Sequence, residues 1–358
     1  MKKVNVGILG ATGMVGQRFV TLLKDHPFFE VKVLCASYRN VGKTYEEAVG
    51  SKWAMEEDIP EYARKMVLMD VLDVENVSKE VDLVFSAVKM EKDEIKAFEE
   101  AYARHEVVVV SNNSAFRWGE DVPMLLPECN VDHLKAIEHQ KKRLGTKKGF
   151  IVVKPNCSIQ SYTPVLYALK EYEPTTCVIS TYQAISGAGR TFETWPEMVE
   201  NIIPYIGGEE EKSEKEPLKI MGEVKDGVIV PSDSLKISCS CVRVPVLNGH
   251  TATVRVSFKK KPTKEEFIKK ITEFKGVPQE KDLPHAPKQF IHYFTESDRP
   301  QVKLDVDLEG GMAIMIGRLE EDNLYDYKFI GLSHNTLRGA AGGGVLSAET
   351  LYALGYLE

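Results

Sequence analysis

The sequence predicts an α/β protein in two parts: a doubly wound parallel sheet, then a domain with longer alternating strands. Three observations carry this. Short apolar runs alternate with helical patterns from residue 4 to about 110, glycines crowd the first strand-to-helix junction, and the texture changes after about residue 156. In order, VNVGIL (4–9) is a strand and MVGQRFVTLLKDH (14–26) a helix. VKVLCAS (31–37) and VDLVFSAV (81–88) are strands, KDEIKAFEEAYARH (92–105) is a helix, and VVVV (107–110) is a strand. Beyond 156, VISTYQAI, LKISCSCVRVPV and HTATVRVSF have the alternation expected of an antiparallel sheet, with TKEEFIKKITEF as a helix. The last stretch, TLRGAAGGGVLSAETLYALGYLE, reads as a glycine-rich turn and a helix that folds back on the first domain. The expected division is therefore 1–156, 157–335 and 336–358.

With 358 residues, two domains are expected; 43% of the residues are hydrophobic and 28% charged, and no apolar run approaches a membrane span. The reading is a cytoplasmic protein with no membrane partner. A formal net charge of −7 argues against a nucleic-acid surface, which needs clustered Lys and Arg. Six cysteines (35, 129, 157, 177, 239 and 241) make neither a disulfide framework nor a zinc spacing, so no metal is expected.

GILGATGMVGQ places Gly10, Gly13 and Gly16 between a strand and a helix. Glycines there permit a tight turn and let a pyrophosphate approach the helix N-terminus. A NAD-binding loop offers an acid at the end of the second strand. Here CASYRN offers Ser37 and Arg39 instead, which suit a 2′-phosphate, so NADP is favoured.

Cys157 comes after an apolar run and a Pro-Asn turn in IVVKPNCSIQ. On its own it is packing, metal ligand or nucleophile. Ile159, Tyr162, Val165, Leu166 and Leu169 then recur at helical spacing, with Asn156 as N-cap and Pro164 as a kink. A helix start would stabilise a thiolate, and its N–H groups an oxyanion.

GATGMVG, SNNSAFR, PNCS, TYQAISGAG, EEEK followed by EPLKI, RVPVLNGH and NTLRGAAGG occur in that order along nearly the whole chain. As a set they resemble aspartate-semialdehyde dehydrogenase in its archaeal and fungal branch. The resemblance implies a Rossmann-like NADP domain, an α+β catalytic and dimerisation domain, and a homodimer or homotetramer. It makes Cys157 the nucleophile, His250 the general acid/base, titrating near working pH, and Gln183 the residue that orients substrate. Arg243 would pair with the substrate carboxylate, Arg117, Asn113 and Lys212 would hold phosphate, and Glu209 would meet the ammonium group. Cofactor contacts would come from Gly10, Thr12, Gly13, Met14, Val15, Gly16, Ser37, Arg39, Ser86, Ser186, Gly187 and Asn335. The implied reaction is NADPH-dependent reduction of L-aspartyl 4-phosphate to the semialdehyde through a thioester, on the route to lysine, threonine, methionine and isoleucine. A malonyl-CoA or other acyl-CoA or acyl-phosphate reductase on the same scaffold is the alternative. A thiol hydrolase has no use for the glycine loop.

Overall fold

The structure, a computed structural model, describes residues 3–358; Met1 and Lys2, the start of the expected first domain, lie outside them. Six strands, β1 (Val4–Leu9), β2 (Phe29–Ala36), β3 (Met69–Asp70), β4 (Leu83–Ser86), β5 (Val108–Ser111) and β6 (Ile151–Val153), form one sheet. Its order is β3-β2-β1-β4-β5-β6, and every pairing is parallel. The chain reverses direction of growth at β1, so the carboxyl ends of β1 and β4 border the crevice where such sheets take ligands.

Alternation assigns the two faces. Ile8, Leu34, Phe85, Val110 and Val152 pack with Phe19 of the first helix, α1 (Met14–Leu22), and with Val345 and Leu351 of the C-terminal helix Gly342–Ala353. Leu9, Cys35, Val84, Val109 and Val153 face the other way, against Phe98 and Tyr102 of helix Lys92–Arg104. Each such buried side chain contributes about 1.5–3 kcal/mol. The last helix thus returns to the first domain. α1 ends at Leu22 rather than at residue 26.

The next strands are β7 (Pro174–Gln183), the small hairpin β8 (Glu223–Lys225) and β9 (Val228–Val230), then β10 (Lys236–Arg243), β11 (His250–Phe258), β12 (Ile291–Tyr293), β13 (Ile314–Glu321) and β14 (Tyr327–Ser333). The second sheet runs β10-β7-β11-β14-β13-β12. It is mixed, which corrects the antiparallel expectation: β10 pairs parallel to β7, and β12 parallel to β13. For β10 the reason is the helix Glu209–Ile220 between β7 and β10, which carries the chain back to the starting end. That helix also covers the edge strand: Glu214 accepts the Cys239 N–H at 3.0 Å and Glu210 the Cys241 N–H at 3.2 Å. Pro217 inside it cannot donate to the Ser213 carbonyl, and the Tyr162 hydroxyl does so instead at 3.0 Å.

Candidate active site

At the β1–α1 junction the glycines have different jobs. Gly10 has φ +87°, and a Cβ on it would sit 2.6 Å from the Ala87 carbonyl oxygen; a Cβ on Gly16 would sit 2.2 Å from the Gly10 oxygen. Both are needed by the turn itself. Gly13, the N-cap of α1, is exposed, and its Cβ would meet only the Gly10 oxygen, at 3.6 Å. Space therefore remains over the first turn, where Met14 and Val15 begin the helix and Thr12 precedes it, for an anion to approach backbone N–H groups. Ser37 and Arg39 come after β2 in an exposed single turn, Arg39 Nε donating to the Tyr38 hydroxyl at 3.2 Å. These residues fit a dinucleotide.

β6 leads to Cys157 through Lys154, Pro155 and Asn156. The turn is held by Asn156, whose Oδ1 accepts from the Ser158 N–H at 2.8 Å and the Ser158 hydroxyl at 2.6 Å. Beyond Cys157 the chain makes a 3-10 turn, Ser158–Ser161, and then a short α-helix, Thr163–Ala168. Pro164 therefore kinks nothing; it sits in the first turn, where no N–H is needed. So short a turn gives the thiol little dipole, and the Ser158 N–H is already committed. Burial, reinforced by the Glu209 carboxylate, pushes the half-buried Cys157 thiol up to about 11, against the pull of Lys154, Arg117 and Arg243.

His250, fully buried at the start of β11, places Nε2 3.3 Å from Cys157 Sγ. Its Nδ1 lies 3.0 Å from the Ala184 N–H. A backbone N–H can only donate, so Nδ1 accepts and the ring proton is on Nε2, toward sulfur. Burial and the Arg243 charge push His250 down to about 3, which replaces the expectation of a group titrating near neutrality. In this state the imidazole is an N–H donor.

Arg243 ends β10; one nitrogen donates to the Ala184 carbonyl at 2.7 Å, and no carboxylate among the described residues pairs with it. Gly187 is where it must be small: a Cβ would lie 3.0 Å from that nitrogen and 3.2 Å from His250 Cε1. Asn335 locks the same corner, donating to Ser186 Oγ and accepting from the Gly249 N–H, each at 2.8 Å. Gln183, buried at the end of β7, donates to Thr181 Oγ1 at 3.2 Å.

Helix Glu209–Ile220 brings three more groups. Glu209 accepts from Lys212 at 2.7 Å and from Asn156 Nδ2 at 3.0 and 3.1 Å. Burial works against its charge, yet Lys212 and Asn156 hold the carboxyl below its ordinary value. Glu216, further along the same face, is fully buried; it accepts from Arg117 at 2.9 Å and from the Asn156 N–H at 2.6 Å. Asn113 points elsewhere: its amide hydrogens go to Ser86 Oγ at 3.0 Å and Glu99 Oε1 at 2.8 Å, so it braces the ends of β4 and β5 rather than facing Cys157.

A thiol, a buried imidazole and an arginine free to take a carboxylate thus meet between the two sheets, beside the crevice of the first. Residues 5–137 match the family model "Semialdehyde dehydrogenase, NAD binding domain", and residues 166–338 match "Semialdehyde dehydrogenase, dimerisation domain". An aspartate-semialdehyde dehydrogenase of Methanothermobacter thermautotrophicus is 40% identical over 97% of this chain and 99% of its own length. One from Archaeoglobus fulgidus is 42% identical, covering 98% of each chain. This chain belongs to the aspartate-semialdehyde dehydrogenase family. The Candida albicans aspartate-semialdehyde dehydrogenase, solved with NADP, superposes with a TM-score of 0.88 at 37% identity, over 99% of this chain and 100% of that one. Like the rest of the family the chain is an oxidoreductase, and no helix among the described residues is long and apolar enough to cross a membrane.

Sequence reasoning missed Glu216, Lys154 and the Ser158–Ser213 contact at 3.2 Å. The signal for Glu216 was present: Glu209, Lys212, Ser213 and Glu216 recur at helical spacing. One metal-like grouping, His26, His285 and Glu349, also went unseen. His26 Nδ1 accepts from the Phe28 and Phe29 N–H groups, each at 3.2 Å, which leaves the proton on Nε2, directed at Glu349 at 2.8 Å. That ring is a hydrogen-bond donor there and has no lone pair for a cation.

Proposed function

We propose that the protein reduces L-aspartyl 4-phosphate to L-aspartate 4-semialdehyde with NADP as redox partner, as a homo-oligomer supplying amino-acid biosynthesis. The observation that carries the reading is Cys157 Sγ at 3.3 Å from a histidine whose Nε2 bears the proton, with Arg243 beside it paired to no carboxylate among the described residues.

Cys157, as thiolate, attacks the acyl carbon and expels phosphate, leaving a thioester; one hard displacement becomes two easier steps. Arg243 pairs with the α-carboxylate through its planar fork, and Gly187 keeps the approach clear. Glu209 meets the substrate ammonium, while Lys212 and Arg117 supply charge for the phosphate. NADPH, held by the glycine loop, Ser37 and Arg39, supplies the hydride. His250 keeps its proton and donates its Nε2 hydrogen bond to the oxygen on which negative charge develops; that oxyanion re-forms the carbonyl of the aldehyde as the thiolate leaves. Removing such a donor costs about 3–4 kcal/mol of barrier.

The test is spectrophotometric, in the reverse direction: NADP, semialdehyde and phosphate. Phosphate-dependent NADPH formation is expected, with Lys212→Ala raising KM for phosphate more than for NADP. Coenzyme A replacing phosphate with equal or better efficiency would instead favour an acyl-CoA reductase.

A further inference from the structure

The site poses a charge problem. Cys157 is held as a thiol by burial and by Glu209, and His250, with Nε2 already protonated, has no lone pair with which to take the thiol proton. Some other group must stabilise the anion.

Lys154 is three residues before Cys157 and 3% exposed. Its Nζ has one hydrogen bond among the described residues, a long one of 3.4 Å to the Pro155 carbonyl. A buried ammonium without a carboxylate is unusual, since buried charges are paired. The groups that face it are Arg338 from the C-terminal helical stretch, Cys157 and Arg117 from its own side of the site, and Glu216 from helix Glu209–Ile220. Both arginines already have acids: Arg338 is bidentate to Glu128, at 2.7 and 2.5 Å, and Arg117 is bound to Glu216. Counting these five charged groups, three cations meet two anions and one positive charge is left over.

Independent geometry ties this spare charge to the sulfur. A Cβ on Gly339 would lie 2.7 Å from Cys157 Cβ, and a Cβ on Gly343 would lie 2.5 Å from Lys154 Cε and 3.3 Å from its Nζ. Gly339 and Gly343 are four residues apart on one continuous helical stretch, so the two side chains rest against adjacent turns of the same face. The glycines let both press close to the helix.

We propose that Lys154 is a positioning residue whose ammonium stabilises the Cys157 thiolate. It acts through the sulfur and touches no substrate. In the step concerned the S–H bond breaks, the proton leaves to water, and Lys154 supplies the balancing charge; no oxidant or reductant is needed. Burial and the Arg338 charge bring Lys154 down to about 7, so at neutral pH its own protonation is poised to respond to the charge on sulfur. The remaining charged neighbours of Cys157 are otherwise engaged: Glu209 with Lys212, and Arg243 with the Ala184 carbonyl and, on the reading above, the substrate.

The inference rests on Cys157 being the nucleophile, and the experiment separates the two. Cys157 alkylation by iodoacetamide is measured by peptide mass spectrometry across neutral to alkaline pH, without phosphate or cofactor. Wild-type protein is compared with Lys154→Met and Lys154→Gln, each checked for NADPH binding by fluorescence. Both variants should alkylate about tenfold more slowly at neutral pH, with the profile displaced upward by about one pH unit, and Lys154→Arg should restore much of the rate. Unchanged profiles in the Met and Gln variants, whatever happens to KM for phosphate, would overturn the role of Lys154 alone. A wild-type Cys157 that is not alkylated, or a Cys157→Ser enzyme that still turns over, would instead overturn the nucleophile.

Discussion

The two strand-to-helix turns that build the site, β1–α1 and β6–Cys157, solve the same geometric problem by opposite means. At β1–α1 the backbone does the work: Gly10 and Gly16 exist because any side chain would collide with carbonyl oxygens at 2.6 and 2.2 Å, and Gly13 leaves the helix start open. At β6–Cys157 side chains do it: Asn156 caps the turn, Glu216 ties Asn156 to Arg117, and Lys154 fills the space by Gly343. On the reading proposed above, the first turn is a socket for an anion brought from solution, and the second is a closed electrostatic environment that tunes one sulfur. A pattern of small residues can therefore report the first, while only the assembled fold reports the second.

The comparison breaks most sharply at Cys157. Cys157→Ser should lower turnover by more than about a thousandfold, because a hydroxyl here has no base to deprotonate it, yet leave NADPH affinity within a few-fold. In wild-type apo-protein, labelling of this thiol should keep climbing with pH toward about 11. A thiol whose folded value is raised contributes its stability fully below the unfolded value, near 8.5, and loses that contribution as pH rises toward the folded one. A labelling plateau near neutrality in the absence of ligands would contradict this.

Next in size is Glu216→Ala, which strands the Arg117 guanidinium without its acid. Chemical denaturation should show a loss of about 3–5 kcal/mol, and thermal melting should fall accordingly. Gly16→Ala should destabilise by about 1–3 kcal/mol through its backbone collision, whereas Gly13→Ala should cost less than about 1 kcal/mol and emerge mainly as a raised KM for the cofactor. If the two glycine variants behave alike, the division between scaffold glycines and an open one fails. Smallest is Arg39→Glu, expected to narrow the NADP-over-NAD preference by about tenfold in kcat/KM, since one charged hydrogen bond is at stake.

The same contrast governs how much was legible in the sequence. The alternating runs of β1, β2, β4 and β5, the helix Lys92–Arg104 and the returning C-terminal helix were legible because period and apolar face are local properties. The parallel pairing of β10 with β7 was not, because it depends on the helix Glu209–Ile220, which the charged run EEEKSEKEPLKI disguised. Cys157 and His250, singled out by their motifs, stand 3.3 Å apart. Their protonation was not readable, since the Ala184 N–H that fixes the His250 tautomer and the burial that raises the thiol come from distant segments.

The claim on which everything else depends is that Cys157 carries the acyl group. Enzyme mixed with L-aspartyl 4-phosphate in the absence of NADPH, quenched in acid within the first turnover and digested, should yield the peptide containing Cys157 heavier by one aspartyl group, and later addition of NADPH before the quench should discharge it. Turnover with no adduct on that peptide, in an enzyme whose Cys157→Ser form remains active, would contradict the account.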